Sequence, residues 1–103
     1  MAERVSHKPW GRFSESDYTL EQLARASLIH MHEPPKTKAD CKLPIREPDG
    51  TLNANGIVAA ATRIHQTDAP MEKKRKAARK LVSLYRNVLN REPPDSLKRL
   101  AGM

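Results

Sequence analysis

The sequence is poor in several residue types that commonly carry chemistry or stabilise folds. It has one cysteine, one tryptophan and one phenylalanine among its 103 residues. Because Cys41 is the single cysteine, an internal disulfide is excluded, and we expect a reducing compartment or a fold that does not depend on disulfides. No apolar run approaches the roughly 18 residues that a membrane-spanning helix needs. The polar start of the chain predicts no secretory signal, so we expect no membrane partner.

Acidic residues are also few, and this imbalance favours an anionic partner. The chain has 19 Lys and Arg against 12 Asp and Glu, which gives a formal net charge of +7. Such a charge favours polyanions or acidic protein surfaces as partners, and the alternative is that it only keeps the protein soluble. Eight prolines and a hydrophobic share of 38% predict a thin core, which a partner covering part of the surface would stabilise.

Hydrophobic periodicity predicts a mainly α fold, with one small helical domain over residues 14–103 and an irregular N-terminal arm over residues 1–13. The helical pattern recurs three times, and an extended proline-rich segment separates the first two helices. In that segment Leu43 and Ile45 fall on one side, while Pro44 keeps the piece out of the middle of a sheet. The predicted helices cover residues 14–31, 52–66 and 71–90, and a short last turn covers residues 95–100.

Side chains near the predicted helix starts support these limits. Thr19 and Gln22 match a capping box, in which each side chain serves the backbone amide of the other residue. Asn53 is the predicted N-cap of the second helix. Asp68 is placed to cap the third helix, with Pro70 in its first turn, where the missing amide has no cost.

The third predicted helix is apolar on one side and basic on the other. Ala78, Leu81, Tyr85 and Val88 follow the three-four-three step of a buried stripe. We expect the cationic side to bind acidic protein or DNA, the alternative being a solvated helix face. Few aromatic residues are available for stacking, so contact with a DNA backbone is favoured over single-strand binding. The cations of this helix are Lys73, Lys74, Arg75, Lys76, Arg79, Lys80 and Arg86.

The arm and the long loop supply two further candidate interaction sites. Trp10 and Phe13 are large rings in an otherwise polar arm, and we expect them to anchor it in a pocket, either on the domain or on a partner. The loop over residues 32–50 is long for a compact domain, and such loops are usually functional or attached to something. Lys42, Arg46 and Asp49 are its predicted interaction residues.

Metal binding and catalysis find little support in the residue pattern. His30, His32, Cys41 and His65 are possible ligands, but zinc sites use tight pairs at characteristic spacing, and here a second close pair is lacking. An activated Cys41 thiolate would need a positioned base, and Asp40 beside it opposes ionisation. We expect no metal, no cofactor, no catalytic residue and no small-molecule substrate, and we predict that the protein is not an enzyme.

The run Lys-Ala-Asp-Cys-Lys-Leu-Pro-Ile-Arg-Glu-Pro-Asp-Gly-Thr-Leu-Asn over residues 38–53 resembles part of a small domain of tailed bacteriophages and prophages. In that family an alanine-rich helix and a basic helix follow, as the sequence also predicts here. The upstream residues Trp10, Phe13 and 17–19 (Asp-Tyr-Thr) are similar too, so the resemblance covers most of residues 10–100. Its most specific part is residues 42–50.

This family has no assigned biochemistry, and its members often look like appendages of head-maturation proteases or other head proteins. The resemblance therefore implies a phage setting and no reaction. We predict a non-enzymatic phage protein of the head or virion, which binds a phage head or host protein through its arm and loop while the basic helix faces acidic protein or DNA. The alternative is a small DNA-binding or host-inhibiting factor in the host cytoplasm.

Overall fold

The computed structural model describes residues 4–103 and contains both helices and strands. Over those residues, four strands form two separate two-stranded sheets, and four α-helices accompany them. The prediction of a mainly α, three-helix domain is therefore wrong, because this is a small α/β fold. In chain order the elements are β1 (Val5–Ser6), α1 (Leu20–Ala26), β2 (Ser27–His30), β3 (Cys41–Pro44), β4 (Leu52–Asn53), α2 (Ala54–Arg63), α3 (Met71–Asn87) and α4 (Asp95–Leu100).

The first predicted helix is shorter than its sequence pattern suggests. The capping box of Thr19 and Gln22 is confirmed, and α1 starts directly after Thr19. The helix stops at Ala26, where the Ser27 hydroxyl donates to the Leu23 carbonyl and the chain becomes extended. Residues 27–30 then pair antiparallel with β3. The apolar spacing was compatible with a continued helix, but backbone pairing with a segment more than ten residues away determines the outcome.

The arm is more ordered than predicted. Over its described part, β1 pairs parallel with β4, with Val5 opposite Leu52. The exposed Asn55 adds a side-chain bond from its Nδ2 to the Lys8 carbonyl, at 3.0 Å. A two-residue strand is too short to show alternation, and its partner is distant in sequence, so no local signal predicts it. Residues 1–3 of the predicted arm lie outside the described residues.

The later helices lie close to their predicted positions. Asn53 caps α2, since its Oδ1 accepts from the Gly56 amide at 2.8 Å. Helix α3 begins at Met71 without a side-chain cap, so the predicted capping role of Asp68 is wrong. The short last turn is confirmed as α4.

One main core joins β2, the β3–β4 segment and helices α2, α3 and α4. A smaller cluster lies under α1 and contains Tyr18, Leu23, Ala26 and Cys41. In the main core, Leu43 has a left-handed backbone, with a φ of 60°, although its side chain is buried. Non-glycine residues rarely adopt this conformation, and burial of the side chain keeps it there. The fully buried side chains of the main core include Ile57, Ile64, Leu81 and Leu97.

Candidate functional site

The candidate site is the solvent face of α3. The helix buries a continuous apolar stripe, so every cation on the opposite side is directed away from the core. Arg75, Lys76, Arg79, Lys80 and Arg86 are exposed, while Lys73 and Lys74 are half-buried. The buried residues of the helix are Ala77, Ala78, Leu81, Val82, Leu84 and Tyr85.

Three arginines form what we call the arginine row, on the side of α3 that faces α4. Arg75, Arg79 and Arg86 follow one another at steps of four and seven residues, which keeps them on one side of a helix. Arg79 donates from Nε to the carbonyl of Ala101 at 3.0 Å. Arg86 donates from Nη2 to the carboxylate of Glu92 at 3.2 Å, a solvent-exposed pair of little energetic weight.

Three lysines form the lysine row, on the side of α3 that faces β2. Lys73, Lys76 and Lys80 follow a three-four step. Lys73 donates its ammonium group to the carbonyl of His30, which attaches this end of the row to β2. Lys74 belongs to neither row, because it donates to the His65 carbonyl at 3.3 Å, just beyond α2.

The central cations of the face have no side-chain partner among the described residues, 4–103. Within that part of the chain, the side chains of Arg75, Lys76 and Lys80 make no hydrogen bond or ion pair, unlike those of Lys73, Lys74, Arg79 and Arg86. Their charges are therefore available to an external anion. All three side chains are also exposed, so an anion can reach them directly, without breaking an ion pair to another described residue.

A groove of about 310 Å³ lies between the lysine row and β2. Ile29 and Ala77 are almost fully buried in its floor, and Leu28 is half-buried beside them. The groove therefore combines an apolar base with a cationic edge. Its lining residues are Leu28, Ile29, His30, Glu33, Lys73, Lys76, Ala77 and Lys80.

The acidic residue of this groove is already engaged. Glu33 Oε1 lies 2.9 Å from Nδ1 of His30, and Nε2 of the same ring lies 2.6 Å from the carbonyl oxygen of Ala24. Both ring nitrogens of His30 are thus occupied by oxygen acceptors, which leaves neither for a metal ion. Glu33 is correspondingly directed at the ring rather than at Lys76 or Lys80.

The predicted arm anchors lie together on the chain's own surface. The ring centroids of Trp10 and Phe13 are 5.8 Å apart and tilted by 53°. The six-membered ring of Trp10 lies directly over Gly56 in α2, where a Cβ atom would come within 3.0 Å of ring carbons. Glycine at position 56 is what permits this close approach of arm and helix.

Of the predicted loop residues, Arg46 and Asp49 lie in one turn, whereas Lys42 lies on β3. Arg46 donates from Nη1 to the Gly50 carbonyl at 3.0 Å, and its own carbonyl accepts from the Tyr18 hydroxyl. Asp49 accepts from the Thr51 amide, which lowers the pKa of its carboxyl below the usual value. Lys42 lies on β3 beside the arm. The contacts of Arg46 and Asp49 stabilise the turn over residues 46–51.

The candidate metal and thiol residues do not assemble into a site. Cys41 is buried, and burial together with Asp40, Glu15 and Glu33 raises the pKa of its thiol, which keeps the thiol protonated at neutral pH. Among residues 4–103, no three His, Cys, Asp or Glu side chains are grouped closely enough to hold a metal ion. No helix in the same part of the chain is long and apolar enough to cross a membrane.

The sequence predicts Asn53 as an N-cap but gives no sign of a second role for it. Its side chain is also hydrogen-bonded to that of Glu47, and both are buried in the interior. The groove beside the lysine row was missed as well, because residues 27–30 were placed in a helix. Comparisons of the chain with family models, with curated proteins and with solved structures found no match.

Proposed function

We propose that this protein is a non-enzymatic phage protein that attaches to an anionic partner through the solvent face of α3. The observation that carries the proposal is that Arg75, Lys76 and Lys80 are exposed and that their side chains have no partner among residues 4–103. Opposite charges steer association and raise its rate, and exposed cations lose little hydration before contact.

The head or virion setting rests on the sequence resemblance of residues 38–53 to phage domains. The arm and loop were expected to bind the partner, but three of their predicted interaction residues contact the chain itself. Trp10 lies on α2, and Arg46 and Asp49 brace a turn. We therefore assign partner binding to α3, and give the arm and loop the role of holding the fold together.

Mass spectrometry of purified particles tests the setting. The particles are those produced from the genome that carries this gene, and we expect the protein at a fixed copy number per particle. Its absence from particles, together with its presence in the infected-cell extract, would contradict a virion role.

DNA binding in the host cytoplasm is the second candidate function. What favours it is the length of the cationic face, since Arg75 to Arg86 spans about 16 Å along a helix at 1.5 Å per residue. A duplex bound by Arg75, Lys76 and Lys80 would lose affinity with salt at a log–log slope of about −2.7, roughly −0.9 per neutralised phosphate. A flat salt response would exclude this candidate.

A further inference from the structure

We infer that the groove between α3 and β2 binds an acidic peptide segment of a protein partner, in which an apolar residue lies between carboxylates. This inference rests on the proposed function and deepens it, because it names the chemistry of the partner. It depends on three properties of the groove: its floor, its charge and its size.

The floor of the groove is apolar. Ile29 and Ala77 are both under 4% exposed, and the half-buried Leu28 extends this surface towards solvent. An apolar side chain that enters the groove leaves water on contact with these groups. Burial of such a side chain is the part of binding that salt does not screen.

The edge of the groove is cationic. Lys76 and Lys80 lie one helical turn apart and have no internal partner among residues 4–103, whereas Glu33 is directed at His30. Carboxylates placed on either side of an apolar residue would meet these two ammonium groups. The charge of the groove and the charge of the peptide are thus complementary.

The size of the groove fits a short segment. Its volume of about 310 Å³ is at the lower end of the roughly 300–1,000 Å³ typical of ligand pockets. It therefore accommodates one or two side chains. A second copy of this chain is a poor occupant, because both copies carry a net charge of +7 and would bring cations to cations.

Duplex DNA uses the surface differently. Its backbone presents phosphates and sugars, which satisfy the lysines but place no apolar side chain on Ile29 and Ala77. An acidic peptide uses both the cationic edge and the apolar floor. The observations together favour the peptide.

Two labelled peptides of equal charge test the inference. Both carry Glu and Asp on either side of a central position, which is Ile in one peptide and Ser in the other. We expect the Ile peptide to bind about tenfold or more tightly, as measured by fluorescence anisotropy, because the buried side chain contributes binding that Ser cannot. The double variant Lys76→Glu/Lys80→Glu should lose both peptides.

Two further variants localise the effect. Leu28→Ser should reduce the preference for Ile over Ser while leaving duplex DNA binding unchanged. Arg75→Glu/Arg86→Glu has the same net charge as the lysine variant but should keep the preference. If Leu28→Ser unfolds, hydrogen exchange of the wild-type protein replaces it, with the Ile peptide expected to protect residues 28–33 more than the Ser peptide does.

The outcomes separate this inference from the function on which it rests. Equal binding of the two peptides, with no difference in protection at residues 28–33, would overturn the inference and leave a general polyanion surface. Binding of duplex DNA alone would overturn it in favour of the second candidate function. Absence of binding to both peptides, to duplex DNA and to heparin would overturn the proposed function itself.

Discussion

Asn53 donates from Nδ2 to a carboxylate oxygen of Glu47 at 2.9 Å, and both side chains lie in the interior. The same nitrogen donates to the Lys8 carbonyl at 3.1 Å, and the side-chain oxygen accepts from the Gly56 amide. Asn53 thus joins the arm, the loop and the start of α2. Buried polar groups are stabilising only when they are hydrogen-bonded, and this network satisfies that condition.

Replacing Asn53 by Ala should strongly destabilise the protein. The change removes the α2 cap and takes from the buried Glu47 carboxylate its hydrogen bond from Asn53, so that among the side chains of residues 4–103 its remaining partner is the ammonium of Lys8, at 3.9 Å. We expect a loss of about 2–4 kcal/mol in the free energy of unfolding, measured by urea denaturation. Asn55→Ala is the matched control, since Asn55 also bonds arm carbonyls but is exposed, and it should cost less than about 1 kcal/mol. Equal losses in the two variants would show that burial of the Asn53 network is unimportant.

The contact between Trp10 and Gly56 predicts that Gly56→Ala stabilises or destabilises the protein depending on whether the Trp10 side chain is present. An alanine in a helix is up to about 1 kcal/mol more favourable than a glycine, yet at position 56 its Cβ would meet the Trp10 ring. Gly56→Ala should therefore displace the arm and shift the fluorescence of this single tryptophan towards that of an exposed indole.

A double-mutant cycle separates the two contributions. In a Trp10→Ala background the same Gly56→Ala change should be stabilising, because only the helix propensity remains. If Gly56→Ala has the same effect in both backgrounds, the arm does not rest on α2.

Tyr18 predicts a loss of stability at high pH. Its hydroxyl donates to the Arg46 carbonyl, and burial, with Glu47 and Asp17, raises its pKa from 10.0 to about 12. Because the folded-state pKa is higher than the unfolded value, this contribution is fully present below pH 10 and is lost as the pH rises towards 12. We therefore expect the free energy of unfolding, measured by urea denaturation, to fall less between pH 9 and pH 11 in Tyr18→Phe than in the wild type.

Tyr85→Phe is the control for the high-pH experiment. Burial also raises the pKa of Tyr85, with nearby Arg91 acting in the opposite direction, but this residue does not join the Arg46 turn. The Tyr85 variant should retain the part of the pH dependence that comes from Tyr18. A Tyr18→Phe protein whose stability falls as steeply as that of the wild type would contradict the assignment.

The parts of the fold that local chemistry determines could be predicted from the sequence. The cap at Asn53, the capping box at Thr19 and the two-sided pattern of α3 depend on residues within one or two turns of each other. By contrast, the apolar spacing of the β2 residues fits a helix as well as it fits a strand. They form a strand because they pair with β3, which lies more than ten residues later in the chain, and the local sequence around β2 does not encode that pairing.

The candidate site was also predictable only in part. The sequence shows the run of cations in α3, but it does not show which of them are bonded to other elements and which are available to a partner. Which of them are engaged depends on carbonyls at His30, His65 and Ala101, supplied by other elements. The groove exists only because β2 is extended at that point, so an incorrect helix prediction concealed it.

Binding of duplex DNA and heparin by a charge-reversal variant is the most direct test of the role of α3. The triple variant Arg75→Glu/Lys76→Glu/Lys80→Glu changes only exposed cations whose side chains have no partner in the described part of the chain, so it should fold normally, which circular dichroism will check. The matched control Arg4→Glu/Arg12→Glu/Arg63→Glu has the same net charge but alters exposed cations on the arm and α2.

We predict that the α3 variant loses affinity for heparin by at least about tenfold relative to the control. For any duplex that the wild type binds, the log–log salt slope should fall in magnitude by about 2.7 with the α3 variant. Equal affinities of the two variants for heparin would contradict the assignment, because they would mean that net charge, and not the solvent face of α3, determines binding.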